Sequence, residues 1–160
     1  MAPWNALAVG LTDSDICSQV NKGEATFSDA YRETAEKIKE LVSYAEPNPY
    51  AYGYNDACTA FARGEAAMYP IGSYAIPQIK SVNPDMNIGS FTFPANDSEA
   101  DNVLNSGIDL QFSVLKESKN KEAAYEVLRF LYEDETIQIY LDDQGGIACK
   151  EGDFELAPEL

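Results

Sequence analysis

With 27 acidic residues against 11 basic ones in 160, the chain carries a net charge of −16. This argues strongly against binding nucleic acid, whose phosphates need Lys and Arg, and nearly as strongly against docking on an anionic membrane surface. Histidine is absent, which removes Ser-His-Asp and Cys-His catalysis together with the commonest metal ligand. The length suffices for one domain with a core, since a chain of about 150 residues buries roughly 68–70% of its unfolded surface. Trp4 to Gly23 is of mixed polarity, with Leu7, Leu11, Ile16 and Val20 spaced for short helical turns. A helix is predicted over 29–44, with Ser28 as its N-cap and Pro47 and Pro49 beyond its end. Its apolar face is Tyr31, Ala35, Ile38, Val42 and Ala45 with Leu41 alongside, and Lys37, Lys39 and Glu40 point to solvent.

A second helix is predicted over 56–63, capped by Asn55 and stopped by Gly64, followed by a short buried strand at 66–69. A third helix covers 75–82, with Pro77 near its start, where a missing N–H costs least. Residues 86–89 and 91–93 read as extended, closed by Pro94, and 96–102 as a polar acidic loop. A strand at 110–115 precedes a helix over 121–132, capped by Ser118 or Asn120, with core face Ala124, Val127, Leu128 and Leu131. A last helix over 135–141 stops before Gly145-Gly146, and the tail from Glu151 is acidic. Helices alternating with short strands predict an α/β layered fold.

Most candidate chemistry fails on spacing. The acidic loop Asp97, Glu99, Asp101 alternates like a calcium loop, but Asn102 stands where glycine is needed and Ile108 where glutamate is needed. Asn96-Asp97-Ser98 is a glycosylation sequon of a kind common by chance. Cys17, Cys58 and Cys149 lack C-x-x-C spacing, so no metal site is expected; buried free thiols are the default, with one disulfide left open. Among Asp56, Asp85, Asp109, Asp142 and Asp143 no pair stands out for glycoside hydrolysis, and no catalytic residue or cofactor is assigned. No stretch reaches the length of a membrane span, and Met1–Trp4 lacks the basic and apolar regions of a signal peptide, which alone reads as a cytoplasmic chain.

One corner stands apart. In F-A-R-G-E-A-A-M-Y-P-I-G-S-Y, residues 61–74, Gly72-Ser73 turns the chain into a helix with Tyr74 at its head. Strand-to-helix corners of α/β proteins are where ligands bind. An aromatic ring there stacks on the C–H face of a sugar; the other reading is ordinary packing. Asn105-Ser106-Gly107-Ile108-Asp109 reads locally as a turn into a strand, or as small polar residues lining a cleft.

Several segments together resemble the extracellular solute-binding proteins of ABC importers, family 1, the sugar-binding group. They are A-F-A-R-G-E-A-A-M-Y-P-I-G-S-Y (60–74), N-P-D-M-N-I-G (83–89), F-P (93–94), S-G-I-D-L (106–110), S-V-L-K-E-S-K-N-K-E-A-A (113–124) and Q-G-G-I-A (144–148). The resemblance implies part of a two-lobe, periplasmic-binding-protein-like (type II) α/β fold, with helices packed on a short mixed sheet. Residues 1–93 would be a second-lobe segment, 94–106 a crossover or hinge, and 107–160 a strand and helices that rejoin the first lobe in a longer protein. It implies a fragment, a mono- or oligosaccharide solute, permease subunits as partners, and an extracellular or periplasmic location with attachment through a lipidated N-terminus absent from this chain. It assigns Tyr74 to stacking and Gly107 and Asp109 to the opposite side of the cleft; Ser73, Asn105 and Asp109 would bond hydroxyls. The alternative is a self-associating interaction module, a homodimer of the fragment without a small ligand.

Overall fold

A computed structural model describes residues 2–108 and 110–160. Its elements are α1 (Ala2–Leu11), α2 (Ile16–Lys22), α3 (Phe27–Ala30), α4 (Arg32–Ser43), α5 (Tyr54–Ala62), α6 (Ala75–Val82), a 3-10 turn (Glu99–Asp101), α7 (Lys121–Leu131) and α8 (Asp134–Gln144). Among the described residues there is no strand, which overturns the predicted helices-on-a-mixed-sheet architecture. The stretches expected as strands, 66–69 and 110–115, form none, and the stretches expected as extended, 86–89 and 91–93, join no ladder either. A helix satisfies its own backbone, whereas a strand needs a partner alongside. No described segment of this chain supplies that ladder.

The chain divides into two compact units. The first runs to Gly72 and includes Phe91–Asn105; the second comprises Ser73–Ser90 and Ser106–Leu160.

In the first unit α1 packs on α4. Leu7, Ile16, Thr34, Cys58, Ala62 and Ala95 are buried. Gly10 allows a close approach: a β-carbon there would lie 2.5 Å from that of Ala95. Trp4, Tyr31 and Phe27 form an aromatic run, with centroids 5.9 Å apart for Trp4–Tyr31 and 6.1 Å for Phe27–Tyr31.

The predicted helix over 29–44 is two helices that meet at Tyr31, and Thr26, not Ser28, is the cap. The Thr26 hydroxyl oxygen accepts from the Asp29 N–H at 3.2 Å. The inward face of α4 is also rotated from the expected one. Thr34 is fully buried and Lys37, Ile38 and Leu41 half-buried, while Ala35 and Val42 are exposed. Lys37, expected on the solvent side, donates from Nζ to the Ala95 carbonyl at 2.8 Å. The acidic loop closes on itself: Asn96 N–H donates to Asn102 Oδ1 at 2.8 Å, and Asn102 Nδ2 to the Asn96 carbonyl at 3.1 Å. The Asn96 side chain is occupied as well, donating to the carbonyls of Gly10 and Asp101.

α5 begins two residues before its predicted start, with Gly53 as N-cap in place of Asn55. It buries Cys58 and Ala62, one turn apart. The Cys58 thiol is pushed up by burial, partly offset by hydrogen bonds with Tyr54 and Tyr69. All three cysteines are free, but only Cys58 is buried; Cys17 and Cys149 are exposed.

In the second unit α6 lies where the sequence predicted it and buries Ala75, Ile76 and Ile79. α7 also forms as expected, yet none of its residues is fully buried; Ala124, Leu128 and Leu131 are half-buried and Val127 is exposed. α8 is longer than predicted and buries Ile137 and Leu141. Lys150 ties the α7–α8 junction: its ammonium sits 4.9 Å from the Tyr132 ring centroid and donates to the Tyr132 carbonyl at 3.1 Å.

The tail is a strap. The Gln138 side chain brackets Glu155, donating to its carbonyl at 3.0 Å and accepting from its N–H at 2.9 Å. Farther on, the Glu159 carboxylate meets Lys80 of α6 at 2.9 Å, and its carbonyl accepts from the Ser90 hydroxyl.

Candidate functional site

The corner at Gly72–Tyr74 is built from both of its flanks. Downstream, the buried Ala75, Ile76 and Ile79 anchor one face of α6. The Ile76 N–H donates to the Ser73 carbonyl at 2.9 Å, closing the first turn. Pro77 stands at the third helical position, where an N–H would have no partner within the helix. Tyr74 itself has helical backbone angles, φ −57° and ψ −14°. The residue is 52% exposed at the head of the helix.

The second support comes from the end of α8. Gly145 is left-handed at φ 60°, and its N–H donates to the Leu141 carbonyl at 2.9 Å. A β-carbon on Gly145 would lie 3.0 Å from the Ser73 carbonyl oxygen and 3.4 Å from Pro77 Cδ. The expected pattern Q-G-G-I-A held this signal as a helix stop, but not the contact.

The other candidate residues are distributed. Ser73 is half-buried beside Tyr74. Gly107 belongs to the same unit and is exposed, with open space around its β-position. Asn105 is exposed and belongs to the first unit. Asp109 lies outside the described residues. The first unit also presents Tyr44, Tyr50, Tyr52 and Tyr54 as exposed aromatics, Tyr50 at 85%. The alternation P-Y-A-Y-G-Y at 49–54 carries that signal in the sequence.

Two hollows complete the surface. In the first unit one of about 460 Å³ is lined by Thr12, Asp13, Ile16, Gln19, Thr26 and Asp29 among others. Its carboxylates have local partners. The Asp15 backbone N–H, then the Gln19 amide, hold Asp13 below the ordinary range; Thr26, then Arg32, do so for Asp29. In the second unit one of about 370 Å³ lies between residues 112–118 and α7, with Phe112, Val114, Leu115, Val127 and Leu128 in its wall. Among the described residues no group of His, Cys, Asp or Glu is arranged to hold a metal, and no helix is long and apolar enough to cross a membrane.

The model of the bacterial extracellular solute-binding proteins matches residues 2–138. The chain belongs to this family. The match agrees with the resemblance carried by the ordered motifs, that of an extracellular solute-binding protein. Among its relatives is a multiple sugar-binding protein of Streptococcus mutans serotype c, 33% identical over 99 residues, covering 62% of this chain and 23% of that protein. Putative binding proteins of Brucella abortus and Brucella suis are 25% identical over 115 residues, 71% of this chain and 28% of theirs. The chain therefore spans about a quarter of the length of these relatives.

Proposed function

We propose that this chain carries part of the solute-recognition surface of an ABC importer's binding protein and that the solute is a neutral mono- or oligosaccharide. The observation that carries this reading is Tyr74, a half-exposed aromatic ring on a backbone fixed by buried residues at the head of α6. Aromatic faces bind the apolar face of a pyranose, and a tyrosine hydroxyl adds a polar contact. The name of the Streptococcus mutans relative supports a sugar as the solute. Ser73, Asn105, Gly107 and Asp109 supply or line the polar contacts; each is modest, so affinity needs several of them together. In the whole protein two lobes close on the solute, and the closed form is handed to the permease. Closure is favoured only to the extent that solute binds the closed form more tightly. The working location is the extracellular or periplasmic face, with lipid attachment at the N-terminus of the whole protein.

The test is a thermal-shift screen against glucose, galactose, maltose, maltotriose and lactose. A ligand at a hundredfold its Kd stabilises by about 2.7 kcal/mol, which raises the melting temperature measurably. Tyr74→Ala is expected to weaken the response roughly tenfold in apparent affinity, the loss of one stacking contact. A response that survives this substitution unchanged would remove Tyr74 from the site.

A second reading rests on a different observation. In the second unit Ile108, Leu110, Phe112 and Leu115 are all exposed, as are Val127 and Phe130 of α7. Apolar surface of this extent on neighbouring positions marks association. In this reading the chain pairs with another copy and needs no small ligand.

A further inference from the structure

We infer that Gly145 is a positioning residue for the Tyr74 ring, setting the seat of the solute from the end of α8. This rests on the reading of Tyr74 as the stacking residue and adds what holds it in place. Two features of Gly145 are independent of each other. Its φ of +60° favours glycine for conformational reasons alone. Separately, the space a side chain would need is occupied: the Ser73 carbonyl oxygen lies 3.0 Å, and Pro77 Cδ 3.4 Å, from where the β-carbon would be. The Ser73 carbonyl is the acceptor of the Ile76 N–H that closes the first turn of α6, and Ser73 is the residue before Tyr74. A side chain at 145 therefore pushes on the peptide that aims the ring, and the buried Ala75 and Ile76 leave α6 little room to retreat.

Gly23 separates the two features. It is left-handed at φ +76°, with nothing within 4 Å of its β-position. Asparagine tolerates the left-handed region better than most residues, so Gly145→Asn keeps most of the backbone preference while inserting the β-carbon. Gly23→Asn carries similar backbone strain with no neighbour to push.

The experiment is aromatic NMR on the full chain with labelled tyrosine, the Tyr74 signal being assigned by its loss in Tyr74→Phe. The expected result is a displaced Tyr74 ring signal in Gly145→Asn and an unchanged one in Gly23→Asn. A Tyr74 signal that stays in place in a folded Gly145→Asn, or moves equally in Gly23→Asn, overturns the inference. Should Gly145→Asn not fold, the unaltered protein gives the answer: an NOE between a Gly145 α-proton and the Pro77 δ-protons is expected, and its absence overturns the contact. The saccharide panel is run on the same samples. Binding is expected to weaken several-fold in Gly145→Asn and not in Gly23→Asn; equal affinity in both overturns the positioning role. If the unaltered protein binds no saccharide, the proposed solute fails, while the NMR comparison still decides whether Gly145 sets the ring.

Discussion

Thr34 is fully buried on α4, and its hydroxyl oxygen has no hydrogen-bond partner among the described residues. A buried donor left unpaired costs free energy that an apolar group of the same shape does not. Thr34→Val is therefore expected to stabilise the chain by about 1 kcal/mol, read as a higher urea midpoint with unchanged slope; a lower midpoint would reveal a partner for the hydroxyl. The sequence pointed away from this position. Its helical face ran through Tyr31, Ala35, Ile38 and Val42, the larger apolar residues, and polar Thr34 was not counted. Ile38 and Leu41 do turn inward, so the period was legible but the phase was not. The reason is local: the chain breaks at Tyr31, where φ −104° and ψ 10° interrupt the helix, and the part after it restarts with its own orientation. Tyr74 was legible for the opposite reason, since the turn G-S before it and the apolar A-I after it are adjacent in sequence. The contact from Gly145 was not, because nothing local joins residues so far apart along the chain.

At the scale of elements, helices with a strong period came through and strands did not. α6 and α7 form at their predicted places because each helix closes its own hydrogen bonds. L-Q-F-S-V-L at 110–115 has the alternation and the branched and aromatic residues of a strand. That composition only suits a pleated surface; the ladder itself depends on a second segment lying beside it. The tail strap was also invisible, since it rests on Gln138 acting as the partner of one backbone residue and on the Lys80–Glu159 pair. That pair gives the strap a pH dependence. The Lys80 hydrogen bond, with a backbone N–H second, holds the Glu159 carboxyl below its ordinary value of 4.5. Folding thus favours the anion. The stabilisation is present above that ordinary value and is lost as the pH falls through the lowered folded value. Glu159→Gln is expected to lower the melting temperature at pH 7 and to make little difference once the pH is well below the lowered folded value, where both forms are neutral; melting curves across that range check it. An equal difference at both ends would assign the effect to packing rather than charge.

For the whole molecule, the apolar side chains left at the surface set the behaviour in solution. A net charge of −16 opposes association between copies, while Phe112, Leu115, Val127 and Phe130 favour it. Salt screens the first and leaves the second. The mass measured by light scattering is therefore expected to rise with protein concentration, and more steeply at about 1 M salt than at about 0.1 M. A constant monomer mass in both would remove the self-association reading and leave solute recognition as the one supported.

The three thiols bear on how the two units are to be followed. Cys58 is sealed in the first unit, while Cys17 of that unit and Cys149 of the second face solvent. A maleimide reagent on the folded protein should modify two sulfurs and reach the third only after unfolding. Nature has thus left one attachment point on each unit. A donor and an acceptor dye placed there, without a single introduced cysteine, would make the chain its own ruler, in which any change in the distance between them registers as a change in energy transfer.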